Sequence, residues 1–151
     1  MKKLFQKDFY ASWSDMDFNA HMRNTAYLDK SADSRMLFFS ENGFPMSEFL
    51  RIKIGPVIVK DEIEYFREVN LLEHMKVTLS IQGLSDDGRR WMMRNEFFNS
   101  DGKLLARVLS SGVWLDLSNR KIVSAPDNLL GTLNLLSKTN DFQVLEPWTK
   151  K

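Results

Sequence analysis

The rhythm of apolar and polar residues changes several times along the chain, and each change marks an element. Residues 4–14 read as a first strand, with Phe5, Phe9 and Trp13 among its large apolar members. A polar loop, 15–23, follows. From Asn24 to about Asn42 the spacing becomes helical. Leu28, Ala32, Met36 and Phe39 recur on one stripe, while Asp29, Lys30, Asp33 and Ser34 fall on other sides. Asn24 or Thr25 is suited to cap the start, and Gly43 and Pro45 stop the helix.

After residue 50 the pattern turns to strands. Residues 51–59 and 61–70 are rich in Ile, Val, Phe and Tyr, and one long bent strand or two short ones both fit. Val77, Leu79 and Ile81 alternate with polar neighbours, as a half-buried strand requires. Asp86-Asp87-Gly88 is a hairpin turn, 89–99 the return strand, Asn99-Ser100-Asp101-Gly102 the next turn, and 103–117 another strand. That strand is apolar enough from Val108 to Leu117 to lie centrally, covered on both faces. Ser124-Ala125-Pro126-Asp127 opens a short helix carrying Leu129, Leu130, Leu133 and Leu136. The tail from Ser137 has no clear period and is expected on the surface.

One long helix followed by grouped strands predicts an α+β fold, an antiparallel sheet wrapped around the apolar stripe of the helix. A chain of 151 residues fits one domain, 1–151, with one sizeable core. The net charge of +1 predicts no strongly basic surface, so nucleic acid is not an expected partner. Cysteine is absent, which removes disulfides, thiolate metal sites and a cysteine nucleophile and permits a reducing cytoplasm. The basic start Met1-Lys2-Lys3 is followed by no apolar run, so neither a signal peptide nor a membrane span is read.

The chemistry is concentrated in the loop before the long helix. Asp17, Asn19 and His21 put an acid, an amide and an imidazole within five residues. A helix start exposes N–H groups without internal partners and carries partial positive charge. Amides of Asn24, Thr25 and Ala26 can therefore face a carbonyl oxygen while the loop activates water. Asp17 as a carboxylate can deprotonate water or attack the carbonyl itself, and the sequence leaves both open. Asn19 serves equally as a turn residue or as a hydrogen-bonding partner of water or substrate. His21 can orient Asp17 or protonate a leaving group. Zinc fits poorly, since no second spaced His and no Cys accompany it. Tyr27 and Met22 belong either to a pocket beside this loop or to the core. Arg89, Arg90 and Arg94 read as a solvated charged face rather than a phosphate site.

The run Asp17-Phe18-Asn19-Ala20-His21-Met22-Arg23-Asn24 resembles the Asp-x-Asn-x-His-x-Asn-Asn run of plant acyl-carrier-protein thioesterases, and Asp15-Met16-Asp17 resembles the Asp-x-Asp start of the hydroxybenzoyl-coenzyme A thioesterase group. Both are hot-dog-fold acyl thioesterases. Ile63-Glu64-Tyr65-Phe66-Arg67-Glu68 is similar to the plant-enzyme strand that carries a further catalytic Glu, matched by Glu68. Arg23 departs from the usual Asn, and Ala20 stands where many relatives have Gly. By its own surroundings, Glu68 reads as a strand-face acid paired with Arg67 or Lys60.

The resemblance implies a hot-dog fold and hydrolysis of an acyl thioester to acid and thiol. It implies Asp17, Asn19, His21 and Glu68 as catalytic residues, with Asn24, Thr25, Ala26 and Tyr27 binding substrate. No metal or redox cofactor is expected; coenzyme A or acyl carrier protein enters only as part of the substrate. A homodimer or homotetramer is expected, because one small curved sheet leaves an open edge and a half-built cleft. A non-catalytic acyl-thioester-binding protein on the same fold is the alternative.

Overall fold

The computed structural model describes residues 4–149; Met1, Lys2 and Lys3 of the basic start, and the last two residues, lie outside it. The elements run β1 (Phe5–Tyr10), α1 (Asn24–Glu41), α2 (Met46–Ile52), β2 (Ile54–Tyr65), β3 (His74–Ser85), β4 (Arg90–Phe98), β5 (Leu104–Asp116), β6 (Ile122–Val123), α3 (Asp127–Leu133) and β7 (Lys138–Leu145). The strands form one sheet in the order β1-β3-β4-β5-β2, with β6 on β5 and β7 on β3. Strand pairs are antiparallel except β7, which runs parallel to β3. The expected α+β architecture is thus present, with α1 against the inner face of the sheet.

Several boundaries differ from the sequence reading. β1 ends at Tyr10, because Ser12 turns the chain: its backbone N–H and its hydroxyl both donate to Asp15 Oδ2 at 2.9 Å. Trp13 then lies in a 3-10 turn and is exposed rather than in the core. Pro45 does not merely stop α1; it caps α2, which takes residues 51 and 52 out of the expected strand. β2 is the single long bent strand, with its irregularity between Ile58 and Lys60, and residues 66–70 fall outside it. β5 is central, between β4 and β2, yet Arg107, Leu109 and Ser111 on its outer face are only half-buried. The tail is not irregular. Val144 and Leu145 pair with Leu84 and Ser85, and Leu145 packs where Gly83 has no side chain.

The largest difference concerns α1. Its buried residues are Ala26, Tyr27, Lys30, Ser31, Ser34, Arg35, Phe38 and Phe39, whereas Leu28, Ala32 and Met36 of the expected stripe are half-buried. Hydropathy misses this face because Lys30, Ser34 and Arg35 are each satisfied by a partner distant in the chain, while the buried Ser31 hydroxyl has none among the described residues. Lys30 Nζ meets Asp15 Oδ2 at 2.7 Å, and Asn95 Nδ2 donates to Ser34 Oγ at 3.3 Å. Arg35 donates to Ser110 Oγ at 3.1 Å, which in turn donates to Asp61 at 2.6 Å. Burial pushes the Arg35 guanidinium below its ordinary value, and the charge of Asp61 opposes that shift. This polar middle of α1 falls between two apolar clusters. One joins Phe38, Phe39 and Phe49 to Trp91 and Trp114; the other joins Tyr27 and Met22 to Val69, Met75, Phe97 and Val108. The second cluster supports the loop before α1.

Candidate active site

The loop 15–23 is closed by its own hydrogen bonds. Asp17 N–H donates to His21 C=O at 2.7 Å, and Asp17 Oδ1 accepts from the N–H groups of Asn19 (2.8 Å) and His21 (3.0 Å). A carboxylate oxygen can hold a tight turn in this way because it accepts from two amides at once. Ala20 takes the left-handed conformation, φ 62°, which is why glycine suits this position. The base of the loop is tied down by Arg23 N–H to Asp15 C=O at 2.8 Å and by Met22 N–H to Val69 C=O at 2.9 Å. Burial pushes the Asp15 carboxyl up, but hydrogen bonds from Lys30 and Ser12 and the Lys30 charge outweigh it and hold the group below 3.8. Asp15 is therefore the anchor of the loop, and Asp17 is its exposed acid.

Asp17, His21, Asn24, Tyr27 and Glu68 line one cavity of about 530 Å³. Glu68 sits beyond the end of β2, and its partner is His21, not Arg67 or Lys60: Nε2 to Oε2 is 3.1 Å, while Lys60 pairs with Glu62. Residues that sequence reasoning did not place here are Arg23, Tyr65, Phe66, Arg67 and Val69. Four of these belong to or adjoin the Ile63–Glu68 match, so that segment carried the signal; only Glu68 was drawn from it. Asp17 also borders a second cavity of about 410 Å³, walled by Trp13, Met16, Phe18, Ala20 and Leu71.

Other expected members of the site are placed elsewhere. Asn19 is exposed and does not line the first cavity; nor do Thr25 and Ala26. Arg23, rather than Asn24 or Thr25, is the cap of α1, and no side chain caps it. The Ala26 amide is occupied by Arg23 C=O at 3.0 Å, which leaves the amides of Asn24 and Thr25 as the open donors of the helix start. Arg89, Arg90 and Arg94 do not reach the cavity; they bind Asp87, the Glu146 carbonyl, and Asp141 with Gln82.

Tyr27, Tyr65 and Phe66 give the first cavity an aromatic wall. Tyr27 is buried, its ring edge-on to Tyr65 at 5.2 Å and to Phe97 at 5.3 Å between centroids. Burial, with the nearby Tyr65, Glu73 and Asp17, pushes its hydroxyl up to about 12, so it remains a proton donor.

An acidic loop at a helix start, over an aromatic cavity, sits in a fold with known relatives. The profile of the thioesterase-like superfamily matches residues 11–133. The chain belongs to the thioesterase-like superfamily. No match was found among curated protein sequences. Solved structures similar to this thioesterase-like chain include a Staphylococcus aureus protein determined in complex with CoA, at 19% identity and TM-score 0.82, covering 99% of this chain and 92% of that one. The 1,4-dihydroxy-2-naphthoyl-CoA thioesterase of Synechocystis is 16% identical with TM-score 0.77, covering 87% and 96%. A gentisyl-coenzyme A thioesterase is 21% identical with TM-score 0.75, covering 85% and 98%. At these identities the likeness establishes the hot-dog fold, with the sheet wrapped around α1.

Proposed function

We propose that this protein hydrolyses an acyl thioester, carried on coenzyme A or on acyl carrier protein, to a free acid and a thiol. The observation that carries this reading is the convergence of Asp17, His21 and Glu68 on one cavity at the open end of α1. Membership of the thioesterase-like superfamily supports the reaction class. CoA in one similar structure, and the CoA thioesterase names of two others, support the thiol carrier.

In this reading the thioester carbonyl oxygen faces the Asn24 and Thr25 amides. An oxyanion donor of this kind contributes about 2.7–4 kcal/mol to lowering the barrier. Oδ1 of Asp17 is held by the loop, and Oδ2 acts, either taking the proton of an attacking water or adding to the carbonyl carbon. In the first route the water oxygen bonds to that carbon, the C–S bond breaks, and the thiolate leaves with a proton from the His21–Glu68 pair. Asn19, which lines neither cavity, serves the site through its backbone N–H to Asp17 Oδ1. The two cavities meeting at Asp17 suit a substrate with two arms, acyl on one side and pantetheine on the other. No step calls on a metal or a redox cofactor.

The working unit is a single hot-dog domain in a homodimer or homotetramer. β2 ends the sheet path with Val57, Ile58 and Val59 exposed, an edge that a second copy would cover. The setting is cytoplasmic, in keeping with a chain that has no cysteine and, among the described residues, no helix long and apolar enough to cross a membrane.

The test is thiol release from a panel of acyl-CoA and acyl-carrier substrates by wild type and Asp17→Asn. Loss of turnover in the variant, with its assembly kept, supports the reading; equal turnover overturns it. A non-catalytic acyl-thioester-binding protein is the second reading, favoured by the structural duty of Asp17 Oδ1 within the loop. It predicts binding of acyl-CoA without thiol release by either protein.

A further inference from the structure

Lys30 is a buried cation that the proposed chemistry leaves unused. It lies on the inner face of α1, about one and a half turns beyond Asn24. Its Nζ meets Asp15 Oδ2 at 2.7 Å, and the two side chains are only 11% and 12% exposed. Among the described residues this is the only side-chain hydrogen bond or ion pair that joins the loop 15–23 to α1. Asp15 passes the restraint on. Its carboxylate also accepts from the Ser12 N–H and hydroxyl, its own C=O accepts from Arg23 N–H at 2.8 Å, and Met16 bridges to Met22. The start of the loop is thereby fixed against its end, and both against the helix whose first amides, those of Asn24 and Thr25, stand open. A closed ion pair contributes little to stability that apolar side chains of similar volume could not, since such replacements are often neutral or stabilising. What an apolar pair lacks is direction: a charge-assisted hydrogen bond specifies a geometry.

Resting on the thioester-hydrolase reading, we propose that Lys30 is a positioning residue: through Asp15 it holds the loop in register with the start of α1, and so sets the separation between the Asp17 carboxylate and the amides that receive the carbonyl oxygen. Both routes open to Asp17 need that separation, because the acid and the oxyanion donors must reach the same carbonyl group at once. Lys30 touches no reacting atom; it acts on the rate through the loop.

The experiment compares wild type with Lys30→Met and with the double variant Asp15→Asn/Lys30→Met. Lys30→Met alone leaves a buried carboxylate without its cation and should lower Tm. The double variant removes both charges while the new amide still accepts from Ser12, so its Tm should return toward the wild-type value. With the fastest of the acyl-CoA and acyl-carrier substrates, it should nevertheless lose about tenfold or more in kcat, while KM changes much less. Hydrogen exchange should show the amides of Asp17, Met22 and Arg23, which close the loop, losing protection, and those of β3 and β4 keeping theirs. Stability regained without kcat is the result that separates positioning from a purely structural role. In an active enzyme, wild-type kcat or wild-type loop protection in the double variant overturns the proposal. So does a loss of protection that spreads into β3 and β4, because the pair then serves the fold as a whole. If wild type cleaves no thioester, the hydrolase reading fails; loss of protection confined to the loop then still assigns Lys30 to holding it, and unchanged protection overturns that as well.

Discussion

His21 Nε2 stands 3.1 Å from Glu68 Oε2, joining the loop before α1 to the segment after β2. The pair makes one unit of two residues distant in the chain. Each side chain keeps solvent contact, so the contact adds little to stability. Its weight lies in holding the imidazole toward the cavity. His21→Ala and Glu68→Gln should each lower kcat/KM, and the double variant should lose no more than about the larger single loss, as coupled groups do. A double-mutant cycle on thiol release checks this; fully additive losses would show the two act separately.

Asp17 holds the loop through Oδ1, and the proposed chemistry falls to Oδ2. Asp17→Asn retains an acceptor for the Asn19 and His21 amides, so it should keep the fold and lower turnover by about 10²-fold or more. Asp17→Ala removes that acceptor and should in addition cost about 1 kcal/mol of stability. Denaturation midpoints read beside turnover separate the two duties.

Asp15 and Lys30 form a pair nearly closed to solvent. Asp15→Asn leaves the Lys30 ammonium buried without a counter-charge and should cost about 3–5 kcal/mol. The folded Asp15 carboxyl titrates below the ordinary 3.8, so its contribution is fully present above that value and is lost as pH falls through the lower folded value. Urea unfolding between pH 7 and pH 2 should show a fall in wild type at the acid end that is smaller in Asp15→Asn.

At Gly112 an added Cβ would lie 2.3 Å from the Trp91 ring and 2.3 Å from the Val57 carbonyl oxygen. The close approach lets the Trp91 indole lie across β5 and donate to Val113 C=O at 3.2 Å. Gly112→Ala should destabilise by about 1–3 kcal/mol or more, since β2 or the indole must move. Thermal unfolding measures it.

Ala20 pays for its left-handed backbone, φ 62°. Ala20→Gly should raise stability by up to about 1 kcal/mol, the side-chain clash relieved being partly offset by a more flexible unfolded chain. A small upward shift in Tm, with turnover kept, is the expected outcome.

Local patterns in the sequence were enough for the α+β class, the span of α1, the β3–β4 and β4–β5 turns, and the loop that bears Asp17 and His21. Each is written in residues near one another: alternation on β3, Gly88 and Gly102 at positive φ, Asp17 capping its own turn. What the chain order could not show was decided by contacts between distant residues. The inner face of α1 is polar because Asp15, Asn95 and Ser110 arrive to satisfy Lys30, Ser34 and Arg35, and no hydropathy period records such partners. β7 becomes a strand because the far half of β3 offers an unpaired edge and Gly83 leaves room for Leu145. Glu68 joins His21 because β2 brings the segment after it beside the loop, and Tyr27 lines the cavity with its ring edge-on to Tyr65 and Phe97. Local preference depends on neighbours in sequence; burial and pairing depend on neighbours in space, and these exist only once the sheet has closed on the helix.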